Sequence, residues 1–196
     1  MASAGRKARI ERATKETAVN VNVNLDGTGK TRIKTRLSFI DHLIMSIGKH
    51  AMIDISLNGE SNDGIVHHLA EDVAIALAQS IDKALGDRTR ITRFGYALMD
   101  EALAYVSIDL VKRQYYNVQL KLTRDSIEGV PREDLEHFTR SLLQNLNACT
   151  HMVVYSGEND HHKIEAALKA FAVALRMATN IDSKRKGVPS AKGVMQ

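Results

Sequence analysis

HHLAEDVAIALAQSIDKALG, residues 67–86, and HHKIEAALKAFAVALRMAT, residues 161–179, are the two stretches on which the fold turns. Each opens on a His-His pair, places a Glu four residues after the first histidine, and runs on with apolar residues at helical spacing. In the first, Val73, Ala76, Leu77, Ile81 and Leu85 share one face, and Gly86 is a favourable stop. The second block follows 94 residues behind the first. Upstream histidines precede the pairs by 25 and 24 residues, at His42 and His137, so the pattern uses six of the eight histidines. Capping or solvation accounts for any one of these side chains taken alone. Neither accounts for matched spacing in both halves.

Working outward, the strands and helices repeat in the same order. Ala18 to Leu25 alternates, with Val19, Val21, Val23 and Leu25 facing one way, which predicts a half-buried strand. Asp26-Gly27-Thr28-Gly29 reads as a turn, and residues 31–35 as the returning hairpin partner. A helix over 39–50 and a strand over 52–57 complete the first half with the helix from His67. In the second half, residues 102–110 and 116–122 read as strands, Pro131 opens a helix to about Leu146, and residues 152–155 form a strand before the helix from His161. The expectation is an α+β fold, an internally duplicated strands-helix-strand-helix unit with helices packed on one face of each sheet. Residues 1–95 and 96–182 are the expected halves, packed as one unit, and 183–196 a basic tail.

Composition narrows the function classes. With 44% hydrophobic and 26% charged residues, the chain is an ordinary globular protein. The net charge of +4 is mild and gathers at the ends, in Arg6, Lys7, Arg9 and Lys184-Arg185-Lys186, so nucleic acid is not a required partner. Cys149 is the single cysteine, which excludes an internal disulfide and a thiolate metal cluster and suits the reducing cytoplasm. No stretch approaches the roughly 18–20 apolar residues of a membrane span, and the first residues lack a signal peptide's apolar core.

Residues four apart on a helix share a face, with Cβ atoms about 5–6 Å apart. His67 with Glu71, and His161 with Glu165, can therefore each offer an imidazole and a carboxylate to one ion. Consecutive residues point about 100° apart, so His68 and His162 are poorly placed to join their neighbours' ion. An economical scheme crosses the halves: His161, Glu165 and His68 at one ion, His67, Glu71 and His162 at the other, with His42 and His137 a fourth ligand each. Three imidazoles and a carboxylate suit manganese, iron, nickel or zinc rather than calcium or magnesium. His50 and His151 have no matched partners and stay outside the set.

At these residues the chain resembles the imidazoleglycerol-phosphate dehydratase family. The segments carrying the resemblance are TKETAVNVNVNLDGTGK, FIDHL, HHLAED, ITRFG, MDEALAYVSIDL, EHF, GENDHHKIEAALKAFAVAL and PSAKG, in the family's order from about residue 8 to residue 193. The resemblance implies a fold like the second domain of ribosomal protein S5, two Mn2+ per active site, and a 24-subunit homo-oligomer with sites where subunits meet. It implies dehydration of D-erythro-imidazole-glycerol phosphate to imidazole-acetol phosphate, a step of histidine biosynthesis, with the substrate imidazole on the metals. It further implies Glu16 as the proton-shuttling carboxylate beside the ligand Glu165, and Arg93, Arg113, Lys169, Ser190 and Lys192 as the phosphate-binding set. The chain departs from the family pattern at Leu69, Ala191, Ile65, Val66 and Lys112-Arg113-Gln114, and the segment after Arg93 is two residues short.

Two other readings stay open on the sequence. A dinuclear hydrolase of a phosphorylated substrate would use the same ligands with a metal-bound water. A non-catalytic RNA or assembly module would rest on the basic ends and leave the paired histidines unexplained.

Overall fold

The computed structural model describes residues 5–99 and 101–195. In chain order the elements are β1 (Lys7–Ala13), β2 (Thr17–Asn24), β3 (Thr31–Lys34), α1 (Ser38–Ala51), β4 (Asp54–Ser61) and α2 (Val66–Leu85). There follow β5 (Phe94–Met99), β6 (Ala104–Asp109), β7 (Tyr115–Gln119), β8 (Ser126–Ile127), β9 (Val130–Pro131), α3 (Arg132–Gln144), β10 (Cys149–Val154) and α4 (Asp160–Thr179). The two four-stranded sheets have the same order, β1-β2-β4-β3 and β5-β6-β10-β7, and β8 and β9 form a small separate hairpin. The α+β architecture is therefore duplicated, with helices on one face of each sheet.

Two expectations about the strands need correction. β3 is not the hairpin partner of β2: it lies parallel to β4, on the far side from β2, while the antiparallel partner of β2 is β1. The turn after β2 explains the routing. Oδ1 of Asp54, at the start of β4, accepts from the amides of Thr28 and Lys30, at 2.8 and 3.0 Å, and docks the turn on that strand. A Cβ on Gly27 would sit 2.5 Å from the Asp54 backbone nitrogen, so only glycine permits the approach. The chain then emerges beyond β4, and α1 supplies the crossover that a parallel pair requires. β1 and β5, each first in its sheet, were not expected. β1 alternates Lys7, Arg9 and Glu11 with the only partly buried Ala8 and Ile10, the weak signature of a charged edge strand.

Burial follows the periodicities. Val19, Val21 and Val23 turn inward from β2 while Asn22 faces out. Leu43, Ile44 and Ile47 of α1, Leu77 and Ile81 of α2, Phe138 and Leu142 of α3, and Phe171 of α4 are fully buried. The helices exchange partners across the duplication: α1 packs on α4 and α2 on α3. α4 is rich in alanine and approaches β5 so closely that a Cβ on Gly95 would lie 1.9 Å from the Ala174 carbonyl oxygen. Pro131 closes β9 and stands just before the first residue of α3, one position earlier than expected.

Candidate metal centre

The helix exchange decides which histidines meet. His42 on α1 joins His161 and Glu165 on α4, with one ligand atom from each residue lying within 4.8 Å of the others. Its Nε2 is 3.3 Å from Glu165 Oε1, and His161 Nε2 is 3.3 Å from Glu165 Oε2. Phe39, one turn before His42, packs its ring on both imidazoles, 6.2 Å from His42 and 4.9 Å from His161. The second group mirrors the first. His67 and Glu71 on α2 meet His137 on α3 within the same 4.8 Å limit, and His137 Nε2 lies 3.2 Å from Glu71 Oε1.

His68 and His162 stand apart from both groups. Their rings lie edge-on to those of His67 and His161 at 6.2 and 5.8 Å, as consecutive residues at a helix start must. His68 instead clusters with Asp63 and Glu16, and His162 pairs with Glu101. Within one chain the halves are thus interleaved by His42 and His137, not by His68 and His162 as the crossed scheme expected.

Each of these four N-terminal imidazoles has a carboxylate on Nδ1: Asp134 for His67 and Asp63 for His68, both at 2.7 Å, Glu128 for His161 at 3.1 Å, and Glu101 for His162. A carboxylate only accepts, so in the neutral ring it favours the proton on Nδ1 and leaves the lone pair on Nε2. No spacing in the sequence announces these carboxylates, except that Asp134 falls one turn before His137. Asp63, just upstream of α2, supplies the carboxylate for His68. Its Oδ1 accepts from the Ile65 amide at 2.9 Å.

Charge in the site follows from these contacts. The Ile65 amide and then the His68 ring hold the Asp63 carboxyl down at about 2. The same hydrogen bond raises the His68 imidazole. Burial pushes the Glu165 carboxyl up, but the bond from Lys169 and the charges of Lys169 and His42 outweigh it, and the net direction is down.

The residues fit a bound cation. His42 Nε2 and His137 Nε2 are buried, face the carboxylates off the hydrogen-bonding angle, and have no hydrogen-bond partner among the described residues. An ion between each imidazole and its carboxylate would satisfy both.

The expected phosphate ligands divide. Arg93, Arg113, Ser190 and Lys192 line one cavity of about 210 Å³, whereas Lys169 lies on α4 with its Nζ 3.1 Å from Glu165. Arg93 grips Asp109 through Nε and a terminal nitrogen, at 2.6 and 2.9 Å, and donates to the Pro189 carbonyl at 2.8 Å. Asp109 raises the Arg93 guanidinium accordingly. Pro189 is thereby tied to the Arg93–Asp109 pair at the end of β6, and Met195 is buried. Glu16 is exposed in the β1–β2 turn, 3.7 Å from His68 Nδ1.

Fold and site together define a class: a duplicated α+β protein whose facing helices carry two imidazole–carboxylate groups able to hold metal ions. Comparison with known proteins narrows it. The family model described as imidazoleglycerol-phosphate dehydratase matches residues 35–175. A protein of that name from Chlorobium phaeovibrioides is 42% identical over 193 residues, covering 96% of this chain and 95% of its own. Another, from Phytophthora nicotianae, is 41% identical over 97% of this chain, which spans only 42% of that longer protein. The crystal structure of the Pyrococcus furiosus enzyme superimposes with a TM-score of 0.79 at 35% identity, covering 94% of this chain and 99% of its own. The chain belongs to the imidazoleglycerol-phosphate dehydratase family, carbon–oxygen hydro-lyases of histidine biosynthesis.

Proposed function

We propose that this chain dehydrates D-erythro-imidazole-glycerol phosphate to imidazole-acetol phosphate at a dinuclear centre, with Mn2+ as the expected ion. The observation that carries the reading is the pair of His/Glu groups with an orphaned imidazole nitrogen in each. His42, His161 and Glu165 would hold one ion, and His67, Glu71 and His137 the other. His68 and His162 would complete them from neighbouring copies, since neither reaches a group in its own chain. A divalent transition ion in such a site supplies Lewis acidity toward the substrate imidazole.

The rest of the chemistry falls to the chain's own side chains. Water leaves as a C–H proton and a neighbouring hydroxyl, and the resulting enol becomes the ketone by moving one proton. Glu16 is the candidate for that proton traffic, and its place beside His68 means that the copy lending His68 also lends Glu16. Arg113, Ser190 and Lys192 would take the phosphate, while Arg93, tied to Asp109 and Pro189, holds their loop in place.

A homo-oligomer, with 24 subunits as the expected number, finds support in the second sheet's outer face. Phe94, Tyr96 and Leu98 of β5, with Tyr115 and Tyr155, are large hydrophobic side chains left exposed there. The division into halves 1–95 and 96–182 with a C-terminal segment 183–196 agrees with the two like-ordered sheets. No helix among the described residues is long and apolar enough to cross a membrane, and the lone Cys149 suits a cytoplasmic enzyme.

Elemental analysis of the purified protein, paired with a dehydration assay, tests the reading. About two transition ions per chain and turnover that vanishes on chelation are expected. Full activity of the metal-stripped protein would end it.

A further inference from the structure

The two His/Glu groups match in ligand type and differ in what surrounds them. On α4, one turn beyond Glu165, stands Lys169, whose ammonium lies 3.1 Å from the carboxylate. On α2 the residue one turn beyond Glu71 is Ile75, which has no charge to offer. An ammonium at that distance occupies one carboxylate oxygen and repels any cation approaching it.

The carboxylates behind the imidazoles differ in the same direction. Asp134, behind His67, has a side chain only 7% exposed and is fixed on α3 at 2.7 Å from Nδ1. Glu128, behind His161, is 57% exposed and stands on the β8–β9 turn with a left-handed φ of 48°, its contact a longer 3.1 Å. A buried partner holds its imidazole in one orientation, whereas a solvated one pays side-chain entropy and is screened by water. The hairpin bearing Glu128 has no counterpart in the first half, where β3 runs almost directly into α1. Duplication thus preserved the ligands and not their backing.

From this we infer that the chain binds its two metal ions unequally: the His67–Glu71–His137 group binds tightly and fills first, and the His42–His161–Glu165 group holds an exchangeable ion. The inference rests on the metal reading above. Lys169 and Glu128 are positioning residues in this scheme, setting the affinity of the second site through Glu165 and His161.

The test is titration of Mn2+ into the metal-free full-length protein, following the free-ion electron paramagnetic resonance signal. Two classes of one ion per chain are expected, with dissociation constants separated by about tenfold or more. Lys169→Met should tighten the weaker class and leave the tighter one in place. Glu128→Gln should weaken the weaker class alone, and Asp134→Asn the tighter class alone. Circular dichroism and melting of each metal-free variant confirm that the fold is retained, and Lys169→Met keeps chain length and helix preference in any case. Two ions of indistinguishable affinity, or a Lys169→Met protein with both constants unmoved, overturns the inequality alone. No bound ion overturns the metal reading and the inequality with it.

Discussion

His42 and Glu165 come from opposite halves of the duplication, yet their nearest ligand atoms are 3.3 Å apart. The packing of α1 on α4 brings them together, and the packing of α2 on α3 does the same for His137 and Glu71. Among the described residues, neither half alone carries a group of two imidazoles and a carboxylate. Exchange of helices is therefore what turns a duplicated motif into a pair of composite sites.

Removing one ligand should empty one site and spare the other. Glu165→Gln is expected to lower bound metal from about two ions per chain to about one and to abolish turnover. Glu165 is half-buried beside α1, off the alanine and phenylalanine core face of its helix, and Gln keeps its shape, so the secondary structure should persist by circular dichroism. Retention of both ions would exclude Glu165 as a ligand.

Much of this was legible in the chain. The helices at His67 and His161 show themselves because apolar residues at 3.6-residue spacing are a local signal, and the structure starts each just one residue earlier. The pairing of β3 with β4 was not legible, because it depends on Asp54 capturing the turn at Thr28 and Lys30 from more than twenty residues away. Glu128 escaped for the same reason: its contact with His161 spans 33 residues and exists only once the β8–β9 hairpin folds. β1 escaped because an edge strand carries charge where a central strand carries valine.

Arg88 joins the halves from inside. Its side chain is 1% exposed, adopts no surface role, and donates to the carbonyls of Leu110 and Asn147 at 2.7 and 2.9 Å and to the Asp82 carboxylate. Arg88→Met would take one donor from the half-buried Asp82 carboxylate, which keeps the Asn147 amide, and leave the two carbonyls short of donors, at a cost of about 1–3 kcal/mol. Urea denaturation is the measurement, and a loss below about 1 kcal/mol would show that water replaces the guanidinium.

Gly95 offers a sharper steric test. A methyl group there meets the Ala174 backbone, which cannot swing aside as a side chain would. Gly95→Ala should push α4 off β5 and cost about 1–3 kcal/mol or more in the same assay. An unchanged midpoint would mean that the sheet and helix stand far enough apart to admit a methyl group.

Acid should act at the N-terminal clasp. The side-chain bond from Arg6 lowers the Asp26 carboxyl, against the opposing effect of burial, and Arg6 also donates to the Thr179 carbonyl at 2.6 Å. A carboxyl lowered in the folded state stabilises fully above its unfolded value of 3.8 and loses that contribution as pH falls through the folded value. Stability should therefore drop below pH 4 less steeply in Asp26→Asn than in the parent, by thermal melts across the acid range. Parallel acid profiles would remove Asp26 from the account.

If His68 serves a group in another copy, two inactive variants should repair each other. A His68→Ala chain keeps His42, His161 and Glu165 intact but lends nothing outward, and a His42→Ala chain has the opposite defect. Each homogeneous protein should be inactive. Dissociating the two, mixing them and reassembling them with Mn2+ should restore a fraction of parental turnover, because some interfaces then join an intact group to an intact His68. The same chains reassembled separately are the control. Restoration requires the contact surface, so Tyr96→Glu in both partners should abolish it and shift the sedimentation of the assembly to smaller species. A mixture as dead as its parts would mean that His68, with the Glu16 beside it, acts within its own chain after a rearrangement of the start of α2.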